Sequence, residues 1–177
     1  MTHRGTETIE TQRLILRRFT TADAEAMFSN WASDSEVSKY LSWQAHSSPE
    51  ETASLLAEWA AMYGSDSFYK WALVLKESGE PVGDITGFNI SDEAASVEIG
   101  YCLGRDYWHR GLTSEALEAV IGFFFDRVGM ERVEARHDPQ NPRSGLVMKR
   151  CGMKYEGTWD SGKGEKCRYA ITKTDRR

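Results

Sequence analysis

The 177-residue sequence has few of the residues that mark disulfide-rich, metal-binding, membrane-spanning or nucleic-acid-binding proteins. It contains three cysteines, an odd number without CxxC spacing, and four scattered histidines, so neither a disulfide framework nor a zinc site is expected. Its longest apolar run, around residues 120–125, is far shorter than the roughly 20 residues that cross a bilayer. The net charge of −5 gives nucleic-acid binding no electrostatic support.

The size and the start of the chain set further expectations. A length of 177 residues fits one domain with a real core, and we expect a single domain over residues 1–177. The first ten residues are polar and lack a hydrophobic signal region, which favours a cytoplasmic protein with no membrane partner. Apolar residues make up 40% of the chain and charged residues 28%, as in ordinary soluble proteins.

Hydrophobic periodicity predicts an α/β fold with a mixed sheet. Alternating or continuous apolar runs predict seven strands, at residues 11–19, 68–76, 81–90, 95–103, 132–136, 153–158 and 166–172. Helical spacing predicts four helices, around residues 24–31, from Ser48 to Gly64, at 115–128 and at 141–152. Ser48 is followed by Pro49 and Glu51, a pattern typical of a capping box that opens a helix.

One loop, between the strand at 95–103 and the helix at 115–128, has the features of an anion site. The first amides of a helix have no internal acceptor, and the helix dipole adds partial positive charge, so a phosphate is a natural guest. Gly111 lets the backbone approach a ligand, Thr113 and Ser114 offer hydroxyls, and His109 and Arg110 can add charge. The alternative is an ordinary helix N-terminus capped by Ser114, which has the same sequence pattern as an anion site. These features alone support the two interpretations equally. Neither a Walker-type phosphate loop nor a GxGxxG dinucleotide fingerprint occurs in the sequence.

The motifs around this loop resemble those of one superfamily. The segment Glu98–Tyr101, followed by Tyr107–Leu117, is similar to the central motif of the GCN5-related N-acetyltransferases. Residues 138–153, with Asn141 and Ser144, resemble the second signature of the branch that acetylates ribosomal-protein N-termini, and residues 11–17 resemble its first strand. The resemblance covers nearly the whole chain, with the motifs in the expected order.

The resemblance implies a sheet of about seven strands, splayed at a bulge and flanked by about four helices, that binds acetyl-CoA as co-substrate without a metal. It implies that the pantetheine arm lies along one strand and the pyrophosphate on the loop, with Asn141 near the thiol end of the arm. The cofactor-binding residues implied are Tyr101, Cys102, Leu103, His109, Arg110, Gly111, Leu112, Thr113, Ser114 and Asn141. One departure is Thr113, which stands where the family usually has glycine or alanine; we expect its hydroxyl to donate to the phosphate.

Transfer to an amine requires a base for the amine, donors for the oxyanion and an acid for the departing thiolate. Glu98 is the candidate base and Ser144 the candidate acid; each also has a plain structural interpretation, as an ion-paired glutamate and as a first-turn serine. Main-chain amides near Tyr101 and Cys102 are the candidate oxyanion donors. A covalent mechanism through Cys102 is disfavoured, because no histidine pattern would activate its thiol.

The acceptor is left open by the sequence. A protein N-terminus is the first hypothesis, a polyamine, amino sugar or antibiotic the second, and a non-catalytic acyl-CoA sensor the third. The aromatic residues Trp31, Tyr40, Trp43 and Trp71 belong to the half of the chain that roofs the acceptor pocket in this superfamily; core packing is the simpler role for each. The segments 41–48 and 159–166 would wall the cleft. Members of the branch often pair, but no sequence feature here demands a homodimer.

Overall fold

A computed structural model describes residues 1–160, 162 and 164–176, and its centre is one sheet in the order β1-β2-β3-β4-β5-β6-β8-β7. All neighbouring strands are antiparallel except β5 and β6, which are parallel, so the predicted mixed sheet is confirmed. The strand beyond the seven predicted is β1, a two-residue edge strand. The strands are β1 (Ile9–Glu10), β2 (Leu14–Arg17), β3 (Tyr69–Leu75), β4 (Pro81–Ser91), β5 (Ser96–Leu103), β6 (Arg132–His137), β7 (Lys154–Asp160) and β8 (Glu165–Thr172).

The helices are α1 (Ala24–Met27), α2 (Ser35–Ser38), α3 (Pro49–Met62), α4 (Leu112–Phe123) and α5 (Pro142–Arg150), and π-helical turns extend α1 through Phe28–Ala32 and α4 through Phe124–Val128. Ser48 caps α3 as predicted, since its hydroxyl accepts from the Glu51 amide at 3.3 Å. The capping box is displaced, because the Glu51 carboxylate accepts from the Ser47 amide instead of the Ser48 amide. Within the described residues, no helix is long and apolar enough to cross a membrane.

Helices cover the sheet on both sides, which explains the near-continuous apolar sequence of β3. Trp71 and Leu73 pack into one core, with Leu117 and Phe124 of the α4 segment. The alternate residues Ala72 and Val74 pack into a second core, with residues of α1 and α3. Because neighbouring side chains of a strand point to opposite faces, a strand buried on both faces is apolar at nearly every position.

The parallel pair β5 and β6 separates along its length. Their pairing runs from Ser96↔Arg132 to Ile99↔Ala135 and ends there. Beyond this point β5 continues against β4 in regular register to Leu103, and β6 continues against β8 to His137. The sheet therefore opens on the β6 side of residues 100–103, and this opening places the candidate site.

Candidate active site

A cavity of about 710 Å³ lies at the opening between β5 and β6. Its walls come from the end of β5, the loop after it, the first turn of α4, one side of α5, the end of β6, and α2 with the segment after it. Of the predicted cofactor-binding residues, all but Arg110 line it, as does the candidate acid Ser144. The structure thus brings together residues that lie far apart in the sequence.

The loop before α4 adopts a conformation that suits an anion. His109 and Gly111 both have positive φ, 63° and 75°, and α4 begins directly afterwards at Leu112. The helix starts three residues before the predicted position 115, so Leu112, Thr113 and Ser114 are its first residues rather than a loop. The first amide bonded within the helix is that of Glu115, which donates to the Gly111 carbonyl at 3.1 Å. The amides of Leu112, Thr113 and Ser114 come before it and have no acceptor inside the helix. Donors and the helix dipole therefore converge on the cavity.

Side chains around the loop divide into those that face the cavity and those that support it. The Ser114 hydroxyl is buried and has no hydrogen-bond partner among the described residues, so it does not act as the cap of α4. The Arg110 guanidinium instead lies over the Tyr107 ring, at 5.5 Å from its centroid. Arg143, in the first turn of α5, lines the cavity and was not predicted.

Arg13, which directly precedes β2, supports the loop from a distant part of the chain, a role that no sequence pattern predicted. Its Nη1 donates to the Arg110 carbonyl at 2.7 Å, and its Nε pairs with the Glu115 carboxylate at 2.7 Å. The Thr11 hydroxyl donates to the same carboxylate at 2.6 Å. Burial alone would raise the pKa of Glu115, but the hydrogen bonds from Thr11 and Arg13 outweigh it and the pKa is lowered. The ionised carboxylate thus fixes the loop relative to the sheet.

The predicted residues Tyr101 and Ser144 meet at the opening. The Tyr101 hydroxyl donates to the Ser144 carbonyl at 3.1 Å, and the two hydroxyl oxygens are 2.9 Å apart. Burial raises the pKa of Tyr101 well above its usual value, and the hydrogen bond to Ser144 only partly offsets this. Tyr101 is therefore a protonated phenol beside the serine hydroxyl.

Asn141 stands at the N-cap position of α5, as predicted, but its side chain makes no capping hydrogen bond. The Ser144 amide is satisfied by the Asn141 main-chain carbonyl, at 3.2 Å. Because Asn141 lines the cavity, its whole side-chain amide remains available there.

Glu98 lies beside the cavity, on the same face of β5 as Gly100 and Cys102. Its side chain is 9% exposed, and its Oε2 accepts from the Asn89 amide at 3.0 Å and lies 3.5 Å from Arg136 Nη2. Gly100, two residues further along this face, lines the cavity, whereas Glu98 is set back behind it. A proton passing from a substrate in the cavity to Glu98 would therefore have to cross the gap between Gly100 and the Glu98 carboxylate.

The Cys102 thiol is hydrogen-bonded to a neighbouring carboxylate. It donates to Asp84 Oδ2 at 3.1 Å, and Asp84 also pairs with Lys70 at 2.9 Å. Burial, and then the charge of Asp84, raise the pKa of the thiol well above its usual value. A buried, protonated thiol is a poor nucleophile, which agrees with the expectation that a covalent mechanism through Cys102 is disfavoured.

The four aromatic residues proposed for the acceptor separate into two groups. Tyr40 lines the cavity, whereas half-buried Trp43 packs against the second core and against His46, at 5.7 Å between ring centroids. Trp31 and Trp71 are completely buried, one in each core of the sheet. Their burial agrees with core packing, the simpler role expected for each, and a role of either in acceptor binding stays a prediction.

Residues 13–154 match the family described as the acetyltransferase (GNAT) domain. The chain belongs to this family. It is 30% identical over 149 residues to the uncharacterized N-acetyltransferase YoaA of Bacillus subtilis (strain 168), over 84% of each chain. A solved acetyltransferase of the GNAT family from Bacillus anthracis superposes with a TM-score of 0.81 at 27% identity, covering 94% of this chain and 98% of that one. The ribosomal-protein-serine acetyltransferase of Escherichia coli (strain K12) is 27% identical over 117 residues, 66% of this chain and 65% of its own.

Family membership confirms the resemblance, the fold and the enzyme class expected from the sequence: the chain is an N-acetyltransferase. Acetyltransferases of this family use acetyl-CoA. Within the described residues, no group of three or more His, Cys, Asp or Glu side chains could hold a metal ion.

Proposed function

We propose that this GNAT acetyltransferase binds acetyl-CoA in the cavity between β5 and β6 and transfers the acetyl group directly to a primary amine, the N-terminal α-amine of a protein. The observation that carries the proposal is the convergence of the α4 amides, the unpartnered Ser114 hydroxyl and the Tyr101–Ser144 pair on one cavity. The first two suit a phosphate, and the third suits a thioester that must leave as a thiol.

Acetyl-CoA is assigned along the cavity from the loop to the opening in the sheet. The pyrophosphate is assigned to the amides of residues 112–114, with Thr113 and Ser114 adding hydroxyl donors. Main-chain groups of Tyr101 and Leu103 on the open edge of β5 are assigned to the amides of the pantetheine arm, whereas the Cys102 carbonyl faces β4 beside Gly83. The Leu103 carbonyl already accepts from Trp108 Nε1 at 2.8 Å, which leaves the Leu103 amide and the main-chain groups of Tyr101 for this role.

The chemistry is assigned to three groups. Glu98 takes a proton from the acceptor ammonium through water, because the carboxylate is set back from the cavity. The amine then forms a bond to the thioester carbon, and main-chain amides near Tyr101 and Cys102 stabilise the oxyanion. As the carbon–sulfur bond breaks, Ser144 gives its proton to the departing thiolate and takes one from the Tyr101 hydroxyl. The acylated nitrogen loses its remaining surplus proton to water, and water returns a proton to Tyr101, so that the products are the neutral amide and the free thiol.

The choice of a protein N-terminus as acceptor rests on likeness. The relative from Escherichia coli is named for acetylating a serine of a ribosomal protein, and residues 138–153 and 11–17 resemble that branch. A small-molecule amine is the alternative outcome of the test.

The test is thiol release from acetyl-CoA with a panel of acceptors: peptides with free N-termini, the same peptides blocked at the N-terminus, spermidine, and an amino sugar. Release with free peptides alone is expected. Release with spermidine or the sugar alone would overturn the choice of acceptor. If none of these amines stimulates thiol release, the proposed function is overturned.

The variant Glu98→Gln adds a second arm. It is expected to lower turnover, most strongly at lower pH where little free amine is present, while the affinity for acetyl-CoA stays near that of the wild type. A wild-type pH–rate profile in this variant would remove Glu98 from the mechanism.

A further inference from the structure

The guanidinium of Arg136 makes few contacts of its own. It lies near the end of β6, lines the cavity and is 24% exposed. Its contacts to carboxylates are long, with Nη2 3.5 Å from Glu98 and 3.8 Å from Glu134. Its Nε is buried without a partner, and its Nη1 takes part in no hydrogen bond or ion pair with the described residues. Buried donors in native proteins are nearly always satisfied, so this cluster of unused donors calls for an explanation.

The neighbouring side chains hold Arg136 in place rather than satisfying it. The guanidinium stacks over the indole of Trp159, with Cζ 4.4 Å from the ring centroid. Trp159 is 48% exposed at the end of β7, in the segment that was predicted to wall the acceptor cleft; Ser161 and Lys163 of that segment lie outside the described residues. Stacking on an aromatic face fixes the plane of a guanidinium while its edge donors stay free, an arrangement that suits planar recognition of oxygen.

The local charges favour a neutral oxygen over an anion. Arginines 132, 136 and 168 on this face of the sheet are balanced by glutamates 98, 134 and 156, with contacts between them of 4 Å or less. An additional carboxylate at Arg136 would meet Glu98 and Glu134 at short range, and like charges at that distance repel strongly in a partly buried site. A carbonyl oxygen can accept from the guanidinium without this penalty.

We infer that Arg136, held by Trp159, is a specificity-determining residue that donates to the carbonyl oxygen of the acceptor's first residue. This inference rests on the proposed function. Glu98 Oε2 is engaged by Asn89 and Arg136, and its Oε1 is in no hydrogen bond with the described residues. Glu98, reached through water, and Arg136 thus offer an acceptor for an amine proton and a donor for an oxygen on the same side of the cavity. The matching ligand is an α-amino carbonyl group, as at the N-terminus of a peptide.

The test compares two acceptors, alaninamide and ethylamine, which differ by the carboxamide group. The ratio of their kcat/KM values combines recognition of the carbonyl with the lower amine pKa of alaninamide. Because the amine pKa is the same for every variant, the change of this ratio from its wild-type value measures recognition of the carbonyl. Arg136→Gln is expected to lower this ratio by about 10- to 100-fold, the usual effect of losing a hydrogen bond from a charged donor. Trp159→Leu is expected to lower it in the same direction but less, because the guanidinium remains and only its orientation is lost.

Arg132→Gln is the matched control. Arg132 lies on the same face of β6 and pairs with Glu134 at 2.7 Å, but it does not line the cavity. We expect the ratio to stay within about twofold of the wild type, as is usual for partly exposed ion pairs. Thermal unfolding of all three variants checks folding; if Arg136→Gln unfolds, Trp159→Leu carries the test.

The outcomes separate this inference from the proposed function. If Arg136→Gln and Trp159→Leu each change kcat/KM for alaninamide and for ethylamine by the same factor, the ratio stays at its wild-type value. That result would overturn the role of Arg136 and leave the acetyltransferase activity unaffected. A wild-type enzyme that releases thiol with neither alaninamide, ethylamine nor an alanine-initiated peptide would overturn the proposed function itself.

Discussion

The hydroxyl oxygens of Tyr101 and Ser144 lie 2.9 Å apart, although 43 positions separate the two residues in the sequence. The contact joins the free end of β5 to the first turn of α5 across the opening in the sheet. Since the Tyr101 hydroxyl donates to the Ser144 carbonyl, the proton of the Ser144 hydroxyl can point to Tyr101 or to a ligand.

The first prediction concerns this pair. Ser144→Ala is expected to lower kcat by at least about tenfold with little change in the KM for acetyl-CoA, since a proton donor acts only in the transition state. Tyr101→Phe is expected to have a smaller effect, and the double variant should resemble Ser144→Ala, because both act in one relay. Steady-state kinetics provide the measurement, with Ser54→Ala on the exposed side of α3 as control. Additive losses in the double variant would show that the hydroxyls act independently.

The second prediction tests the anion site at the start of α4. Gly111→Glu is expected to abolish acetyl-CoA binding, because it adds negative charge where a pyrophosphate is assigned and forces a side chain into φ 75°. Gly111→Ala controls for the backbone, because a methyl group there would lie 3.5 Å from Arg13 Nη2, an ordinary contact. The positive φ is expected to cost about 1 to 2 kcal/mol of stability, with binding retained. Isothermal titration with coenzyme A measures both. Unchanged affinity in Gly111→Glu would contradict the assignment of the loop.

The sequence predicted those parts of the site that depend on local chemistry. The loop before α4, the N-cap position of Asn141 and the strand carrying Glu98 to Leu103 follow from turn residues and periodicity, which act over a few positions. The start of α4 was misplaced because Leu112, Thr113 and Ser114 have no distinctive helical signal; the left-handed conformation of Gly111 sets the boundary.

Residues that act through distant contacts could not be predicted in this way. Arg13 contacts Glu115 and Arg110 across about a hundred positions, and Arg136 meets Trp159 only because β7 pairs with β8 beyond β6. No spacing along the chain encodes such pairs. Trp31 and Trp71 show that position along the chain does not predict burial. Both lie in the half of the chain that roofs the pocket in this superfamily, and both are completely buried in the core.

The third prediction concerns the protonated state of Cys102. Because burial and Asp84 raise the pKa of its thiol well above the usual value, the thiol stays protonated at neutral pH. Cys102→Ser keeps a donor for Asp84 and is expected to retain turnover within about threefold of the wild type, as a thiol that is not ionised is not a nucleophile. Mass spectrometry after incubation with acetyl-CoA should show no acetylated Cys102. An acetyl group on this residue that disappears when an amine is added would establish a covalent route.

The fourth prediction links pH, stability and the cofactor loop through Glu115. Its pKa is lowered in the folded protein because hydrogen bonds from Thr11 and Arg13 outweigh the effect of burial. A carboxyl group of this kind stabilises the fold above its unfolded pKa of about 4.3, and the stabilisation is lost as the pH falls through the lower, folded value. Glu115→Gln should therefore cost about 1 kcal/mol at pH 7, and the difference from the wild type should shrink between about pH 5 and pH 3.

Thermal unfolding of the wild type and Glu115→Gln at a series of pH values measures this difference. The same variant should weaken coenzyme A binding at pH 7, because Arg13 loses the carboxylate that orients it toward the Arg110 carbonyl. Glu118→Gln is the matched control, since Glu118 is an exposed glutamate on the next turn of the same helix. If Glu115→Gln and the wild type keep a constant difference in stability down to pH 3, the ionised carboxylate is not what holds the loop, and packing of Arg13 alone must do so.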